Sequence, residues 1–251
     1  MAKQKHLKIE AGDVGRYVLL PGDPARCEKI AEHFENPREV AYNREFRTIT
    51  GTLAGEKVST VSTGIGNPSA AIAIEELNKV GADTLIRVGT SGGMQPFVIP
   101  GDLGILQASI RDEGTTKHYL PVEFPAVAHL DVLLALREAA RTLGHRAHIG
   151  ISHSKDSFYG QMQPERMPVS ETLLTRWDAW IKGGALCAEM ESATLFTLGQ
   201  IYRLRTGSIV LIAMNQGKPE LGSVSDIQPL IATAINALQI LIRRDRNERK
   251  A

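Results

Sequence analysis

The chain has 251 residues, of which 43% are hydrophobic and 23% charged, and its 29 lysines and arginines against 28 acids give a formal net charge of +1. A chain of this size can bury one large core, and so even a charge balance leaves no broad basic face, which argues against nucleic acid as the main partner. Only two cysteines occur, with no CxxC spacing, so neither a disulfide framework nor a zinc site is indicated, and Cys27 and Cys187 read as small packing residues.

No Ser/Pro/Gly-rich linker or low-complexity tract divides the sequence, and a single domain over residues 1–251 is expected. The segment Met1-Ala2-Lys3-Gln4-Lys5-His6 has no apolar signal core, and no apolar run is long enough for a bilayer span, so the expected location is the cytoplasm.

Tyr17-Val18-Leu19-Leu20 reads as a buried strand that ends in Pro21-Gly22-Asp23-Pro24, after which Ala25 to Phe34 has helical spacing. A helix start after a strand end is an anion site in outline, with Arg26 in the first turn; it is also an ordinary Asp-Pro helix start with a surface arginine. Glu39 to Leu53 is extended and carries Asn43-Arg44-Glu45-Phe46-Arg47, and Glu56 to Ser62 is a further strand. Gly64-Ile65-Gly66 follows, with Asn67 as expected N-cap, Pro68 at the first helical position, and a helix to Val80. The glycines resemble half of a dinucleotide fingerprint, but Ser69 stands at the third glycine and the next strand ends in Arg87 rather than an acid.

Thr84 to Val88 has the β-branched and aliphatic content of a central strand, yet it holds Arg87 and breaks into Gly89-Thr90-Ser91-Gly92-Gly93. A buried guanidinium cannot shed its proton, so Arg87 faces either a fixed carboxylate or an anionic ligand. Gly101 to Ile110 is the next strand, Asp131 to Leu143 a helix stopped by Gly144, and His148 to Ser154 another strand. Lys155 closes that strand, and from Asp156-Ser157-Phe158-Tyr159 to Ser170 the lack of periodicity predicts a long loop. Glu171 to Lys182 is an amphipathic helix whose Trp177 and Trp180 are expected in the core. Ala185 to Ala188 is a short strand leading through Glu189-Met190-Glu191-Ser192 to a helix ending near Tyr202. Carboxylates there can accept from a sugar diol, or simply sit at a helix N-terminus. Ser208 to Met214 is the last strand, and Ile227 to Ile242 the closing helix. Strands alternating with helices predict an α/β fold with a mainly parallel sheet covered on both faces.

Basic turns at Arg26, Arg44 and Arg87, acids at a strand-to-helix junction, and a Gln/Arg-rich loop from Gln161 to Arg166 supply an oxyanion, a sugar and a planar amide-like ring. That set suits phosphate displacing a base from a nucleoside. Pro21-Gly22-Asp23-Pro24, Arg44-Glu45-Phe46, Ser62-Thr63-Gly64-Ile65-Gly66, Arg87-Val88-Gly89-Thr90, Glu123-Phe124-Pro125-Ala126, Asp156-Ser157-Phe158-Tyr159 and Glu189-Met190-Glu191-Ser192-Ala193 stand in one order. In that order the chain resembles the nucleoside phosphorylases of the trimeric and hexameric type, most of all their uridine-cleaving branch, nearly end to end. The resemblance implies a three-layer α/β/α sandwich with a distorted, barrel-like mixed sheet, built from dimers into a hexamer, with no organic cofactor and with uridine and inorganic phosphate as substrates. By the same resemblance Gly22, Arg26, Arg87 and Thr90 match phosphate ligands, and Arg44 one donated by the neighbouring subunit. His6 matches a histidine reaching the sugar across that interface, Met190 and Glu191 match ribose contacts with Glu189 beside them, and Phe158, Gln161 and Arg166 match the base pocket. Arg87, Arg166 and Glu191 would carry the catalysis. Glu45, Ile65 and Ser69 match positions where some members hold a monovalent cation. Purine-cleaving relatives place an acid where this chain has Asn215, which favours uridine over purine nucleosides. Departures from the pattern are the stretched Gln161-Met162-Gln163-Pro164-Glu165-Arg166, which leaves Gln161 and Gln163 as alternatives, and Gln216 in place of an arginine. Lys155 is either a compensating cation near the base or a solvated lysine. Competing readings are a nucleosidase, which uses water in place of phosphate, and a nucleoside-binding protein without turnover.

Overall fold

The computed structural model describes residues 3–249. Its first strand, β1 (Tyr17–Pro21), passes through an Asp23-capped, proline-started turn into α1 (Pro24–Ala31). A hairpin of β2 (Glu35–Asn43) and β3 (Phe46–Leu53) and the strand β4 (Glu56–Val61) follow, then α2 (Asn67–Lys79) and the central strand β5 (Thr84–Gly93). The second half runs β6 (Leu103–Asp112), the short β7 (Ala126–Val127), α3 (Leu130–Thr142), β8 (Ala147–Lys155), α4 (Phe158–Met162), α5 (Ser170–Lys182), β9 (Cys187–Glu189), α6 (Ser192–Tyr202), β10 (Arg205–Asn215) and α7 (Gln228–Glu248).

The strand order is β10-β6-β8-β9-β5-β1-β4-β3-β2, and β10 also pairs with β5. That extra pairing closes β5, β10, β6, β8 and β9 into a ring, while β1, β4, β3 and β2 extend from it as an open sheet. Parallel pairings join β5 to both β1 and β10, β1 to β4, and β8 to both β6 and β9; the rest are antiparallel, so the sheet is mixed. Successive side chains of a strand face opposite ways, and both faces are buried here. Tyr17, Leu19, Ile209 and Leu211 pack with α1, α3 and α7 on one side; Val18, Leu20, Val210 and Ile212 pack with α2 and α6 on the other. The result is the α/β/α sandwich expected, with a core on each face. Close approach is enforced at Gly207, where a Cβ would stand 2.3 Å from Val132 Cγ1, so α3 lies against the backbone of β10.

Four local expectations need correction. Gly66 rather than Asn67 caps α2; Asn67 is fully buried and takes Thr194 Oγ1 as donor at 2.8 Å, so its amide ties α2 to α6 instead of satisfying the helix end. The stretch after Lys155 is not a structureless loop, because Ser157 accepts from Gly160 N and starts α4, and Pro164–Arg166 forms a 3-10 turn. No residue of α5 is buried; Trp177 and Trp180 only half-cover a small cluster around Met94, Ala185 and Ala188. The antiparallel hairpin β2–β3 splits the extended segment at Arg44-Glu45, with Arg44 at φ 56°. Cys27 and Cys187 are buried and unpaired, and burial pushes their thiols up to about 11 and about 12. Among the described residues no helix is long and apolar enough to cross a membrane.

Candidate active site

The carboxyl ends of β1, β4, β5, β8, β9 and β10 converge on one cleft of about 830 Å³. Such ends are where open α/β sheets present backbone N–H groups and loop side chains to a ligand. β10 bulges between Ile212 and Met214, and the extra residue, Ala213, is turned into the cleft wall.

One end of the cleft is built for an anion. Arg87 is 6% exposed, its Nη2 lies 2.5 Å from Glu191 Oε2, and its Nη1 donates to Thr63 Oγ1 at 3.3 Å. Arg26 donates through Nη1 to Val88 O at 2.9 Å, and burial followed by the neighbouring Arg87 guanidinium holds its pKa below the usual arginine range. The Nε atoms of both arginines and Ser91 Oγ are buried without a partner. Two mutually repelling guanidinium groups that line one wall with a single paired carboxylate between them leave positive charge for an anionic ligand. At Gly22 a Cβ would stand 3.2 Å from Gly64 O and 3.6 Å from Arg87 Nη2; glycine there keeps the approach to Arg87 open. Thr90 is exposed to the cleft it lines.

The two acids at the start of α6 divide their roles. Glu189 Oε2 accepts from Glu191 N at 2.8 Å and Ser192 N at 2.7 Å, and Oε1 accepts from Ser152 Oγ at 3.0 Å. Glu189 therefore secures the helix start, the plainer of the two readings of that position, although it reaches the cleft wall. Glu191 accepts from Gly66 N at 2.8 Å on Oε1 and from Met190 N at 3.2 Å on Oε2, besides its pairing with Arg87. With about four acceptor directions on a carboxylate, Oε1 keeps one for a hydroxyl. Burial pushes the Glu191 carboxyl above the usual carboxylate range, with Arg87 pulling against it and Glu189 adding to it. Met190 lies beside it on the wall.

At the far end stand Phe158, which is 52% exposed, Gln161, Met162, Met214, Gln216 and Lys155. Gln161 Nε2 donates to Gln216 Oε1, while Gln161 Oε1 is buried without a partner. Of the two glutamines only Gln161 lines the cleft; Gln163 accepts from Arg166, and neither of those two is on its wall. Arg166 is a correction: Pro164 begins a tight 3-10 turn after α4, and the lengthened spacing carries this exposed guanidinium outside the wall. Asn215 is not on the cleft wall and is committed to the main chain: its amide nitrogen donates to Gln95 O and Val98 O at 2.9 and 2.7 Å and its oxygen accepts from Gly217 N. Lys155 is 8% exposed, not solvated, and burial lowers its pKa while Glu189 and Glu191 oppose that.

Arg44 and His6 do not line this chain's own cleft. Arg44 is exposed at the tip of the β2–β3 hairpin, and His6 Nδ1 lies 2.7 Å from Glu76 Oε1. Ser69 Oγ lies within hydrogen-bond reach of two acceptors, Glu45 Oε1 at 2.9 Å and Thr63 O at 2.5 Å, and Ile65 beside them is exposed. Among the described residues no three His, Cys, Asp or Glu side chains are grouped to hold a metal. Sequence reasoning placed the Thr90 and Ser91 hydroxyls beside Arg87, and both line the cleft; it missed Thr63, whose hydroxyl takes a hydrogen bond from Arg87 and which directly precedes Gly64, the signal that could have found it.

Residues 16–244 match the family model described as Phosphorylase superfamily. The chain is 50% identical over 244 residues to a uridine phosphorylase of Treponema pallidum, covering 96% of this chain and 95% of the relative. It is 39% identical over 215 residues to a guanosine phosphorylase of Halorubrum lacusprofundi, at 86% and 85% coverage. Among solved structures, a uridine phosphorylase from Vibrio fischeri ES114, complexed with 6-hydroxy-1-naphthoic acid, superposes with a TM-score of 0.84 at 31% identity, over 97% of this chain and 98% of that one.

Proposed function

The chain belongs to the phosphorylase superfamily, and from that premise we propose that it cleaves uridine with inorganic phosphate to uracil and ribose 1-phosphate, reversibly. The observation that carries this reading is the crowding of two guanidinium groups, Arg26 and Arg87, on one cleft wall with a single paired carboxylate, Glu191, opposite the amide-lined end. Phosphate held there by Gly22, Arg26, Arg87 and Thr90 has its attacking oxygen facing the anomeric carbon of a ribose seated on Met190 and Glu191. Fixing two reactants in this way can lower a barrier by about 7–11 kcal/mol in favourable cases. As the phosphate oxygen bonds to C1′, the glycosidic C1′–N1 bond breaks and its electron pair passes into the pyrimidine. Phe158 flanks the ring and Gln161 meets its polar edge. The reaction needs no organic cofactor.

Under the same reading Arg44 and His6 serve the cleft of a neighbouring subunit in a hexamer made as a trimer of dimers, located in the cytoplasm, and Glu45, Ile65 and Ser69 face a monovalent cation between subunits. Arg44 supports this, being an exposed residue held in the left-handed region at a hairpin tip. Uridine is preferred over guanosine or inosine because Asn215 is committed to the main chain and offers no acid to a purine nitrogen. The test is cleavage of uridine with and without phosphate, with ribose 1-phosphate quantified. Equal base release in phosphate-free buffer would establish a nucleosidase instead, and a kcat/KM for guanosine matching that for uridine would establish the purine reading.

A further inference from the structure

A second cavity of about 500 Å³, under α4 and α5, adjoins the cleft, and the side chains that line both are Lys155, Gln161 and Gln216. Lys155 thus stands at the base end, away from the anion wall. It is the only cation that the described cleft wall offers there, since the remaining cationic lining residues, Arg26 and Arg87, belong to the anion end. Gln216 is a neutral amide already engaged with Gln161 and, through Nε2 at 2.9 Å, with Met162 Sδ. His153, on the far cavity's wall, shares a 2.8 Å hydrogen bond with Asp112. Among the described residues the Lys155 ammonium has no hydrogen bond and no ion pair, although the residue is more than nine-tenths buried. A buried ammonium without a fixed counterion is costly, and such a group is retained where a negative charge arrives during the working cycle.

We propose that Lys155 is the catalytic cation of base departure: its ammonium donates to a carbonyl oxygen of the pyrimidine on which the pair from the broken C1′–N1 bond collects. The inference rests on the uridine reading. It replaces the exposed Arg166 and the neutral Gln216 with one lysine on a rigid strand end. Burial lowers the pKa of this ammonium, and Glu189 and Glu191 oppose that shift and favour its charged form. The base departs as its anion, the sugar keeps the new C1′–O bond to phosphate, and water supplies the proton that turns the anion into uracil.

The experiment compares uridine with 5-fluorouridine, whose base is the better leaving group, in the wild-type protein, Lys155→Met and Lys155→Arg. Losing one donor to a developing oxyanion typically costs about 10²–10³-fold in kcat, and that loss on uridine is expected for Lys155→Met, with KM for phosphate unchanged. On 5-fluorouridine the loss shrinks, because a base that carries its own negative charge more easily needs the ammonium less; Lys155→Arg restores part of the uridine rate. A structural role would lower both substrates equally, and that result, an intact uridine rate, or a defect confined to the KM for phosphate would each overturn the proposal. If Lys155→Met does not fold, Lys155→Gln, an uncharged side chain of similar reach, is measured in its place with the same criteria. Failure of the wild-type protein to release ribose 1-phosphate from uridine would remove the uridine reading and this inference with it; turnover by the wild type with an unaltered variant removes the inference alone.

Discussion

Two arginines belong to the same run of paired strands and do opposite work. At the amino end of β5, Arg205 binds Asp245 through both Nη atoms at 2.7 and 2.6 Å, and its Nε and Nη2 also donate to Thr84 Oγ1 at 3.0 and 2.8 Å. Tyr17 OH donates to the same carboxylate at 2.6 Å, and Arg16 pairs with Asp83 nearby. At the other end of β5, Arg87 has one carboxylate, one weak hydroxyl acceptor and an orphaned Nε, with Arg26 crowding it. What separates a structural arginine from a binding one is the count of donors left over, not burial or position in a strand. Satisfied polar networks rigidify, whereas spare donors keep affinity for what is absent.

The widest expected gap between the ends comes from Arg87→Ala, which is expected to lower kcat/KM for phosphorolysis by more than about 10³-fold, since under the proposed reading it removes a phosphate ligand as well as the partner of Glu191. Steady-state rates at saturating phosphate measure it, and a small loss would merge the two ends into one class. The mirror experiment is Asp245→Ala: leaving Arg205 and Tyr17 without their shared carboxylate costs about 3–5 kcal/mol of stability, read from urea unfolding, with kcat per folded molecule retained. Tyr17→Phe is milder, about 1.5–3 kcal/mol for a hydrogen bond to a charged group. Burial and then Asp245 push the Tyr17 phenol up to about 12. The fold therefore favours the neutral phenol, so its stabilising contribution is complete below the unfolded value of about 10 and is lost as pH rises from there toward about 12. Urea midpoints followed through that window fall for the parent and stay flatter for the phenylalanine variant. Smallest of all is Arg166→Ala, expected to change kcat/KM by less than about tenfold, or about 1.4 kcal/mol, because its guanidinium lies outside the cleft. A larger loss would bring that turn back into the site.

Much of this division is legible in the sequence. Arg87 contradicts its apolar strand and precedes Gly89, and Gly22 and Gly64 follow strand ends, so the anion wall is written in local contrasts. The α/β/α layering follows from two-sided apolar strands alternating with helices. Other features are decided between distant residues. Ring closure depends on Thr84 pairing with Arg205 across the length of the domain, which no local pattern encodes. Asn67 has the composition of a cap, yet Thr194 claims its amide; Glu189 and Glu191 look alike, yet only hydrogen bonds from Ser152, Ser192 and Gly66 tell them apart. The burial of Lys155 and the outward placement of Arg166 depend on how α4 sits on the sheet, which a segment without periodicity does not announce.

The double attachment of β10, to β5 on one side and β6 on the other, bears on how the protein is made. Residues 205–215 leave the ribosome late, so β5 spends most of synthesis with one margin unmatched while β10, Ala213 and Gln216 are still to come. Chains that stop short of β10 carry Arg87 and its glycines without the strand that encloses them, so a nascent polypeptide is open to mispairing until residues 205–215 emerge.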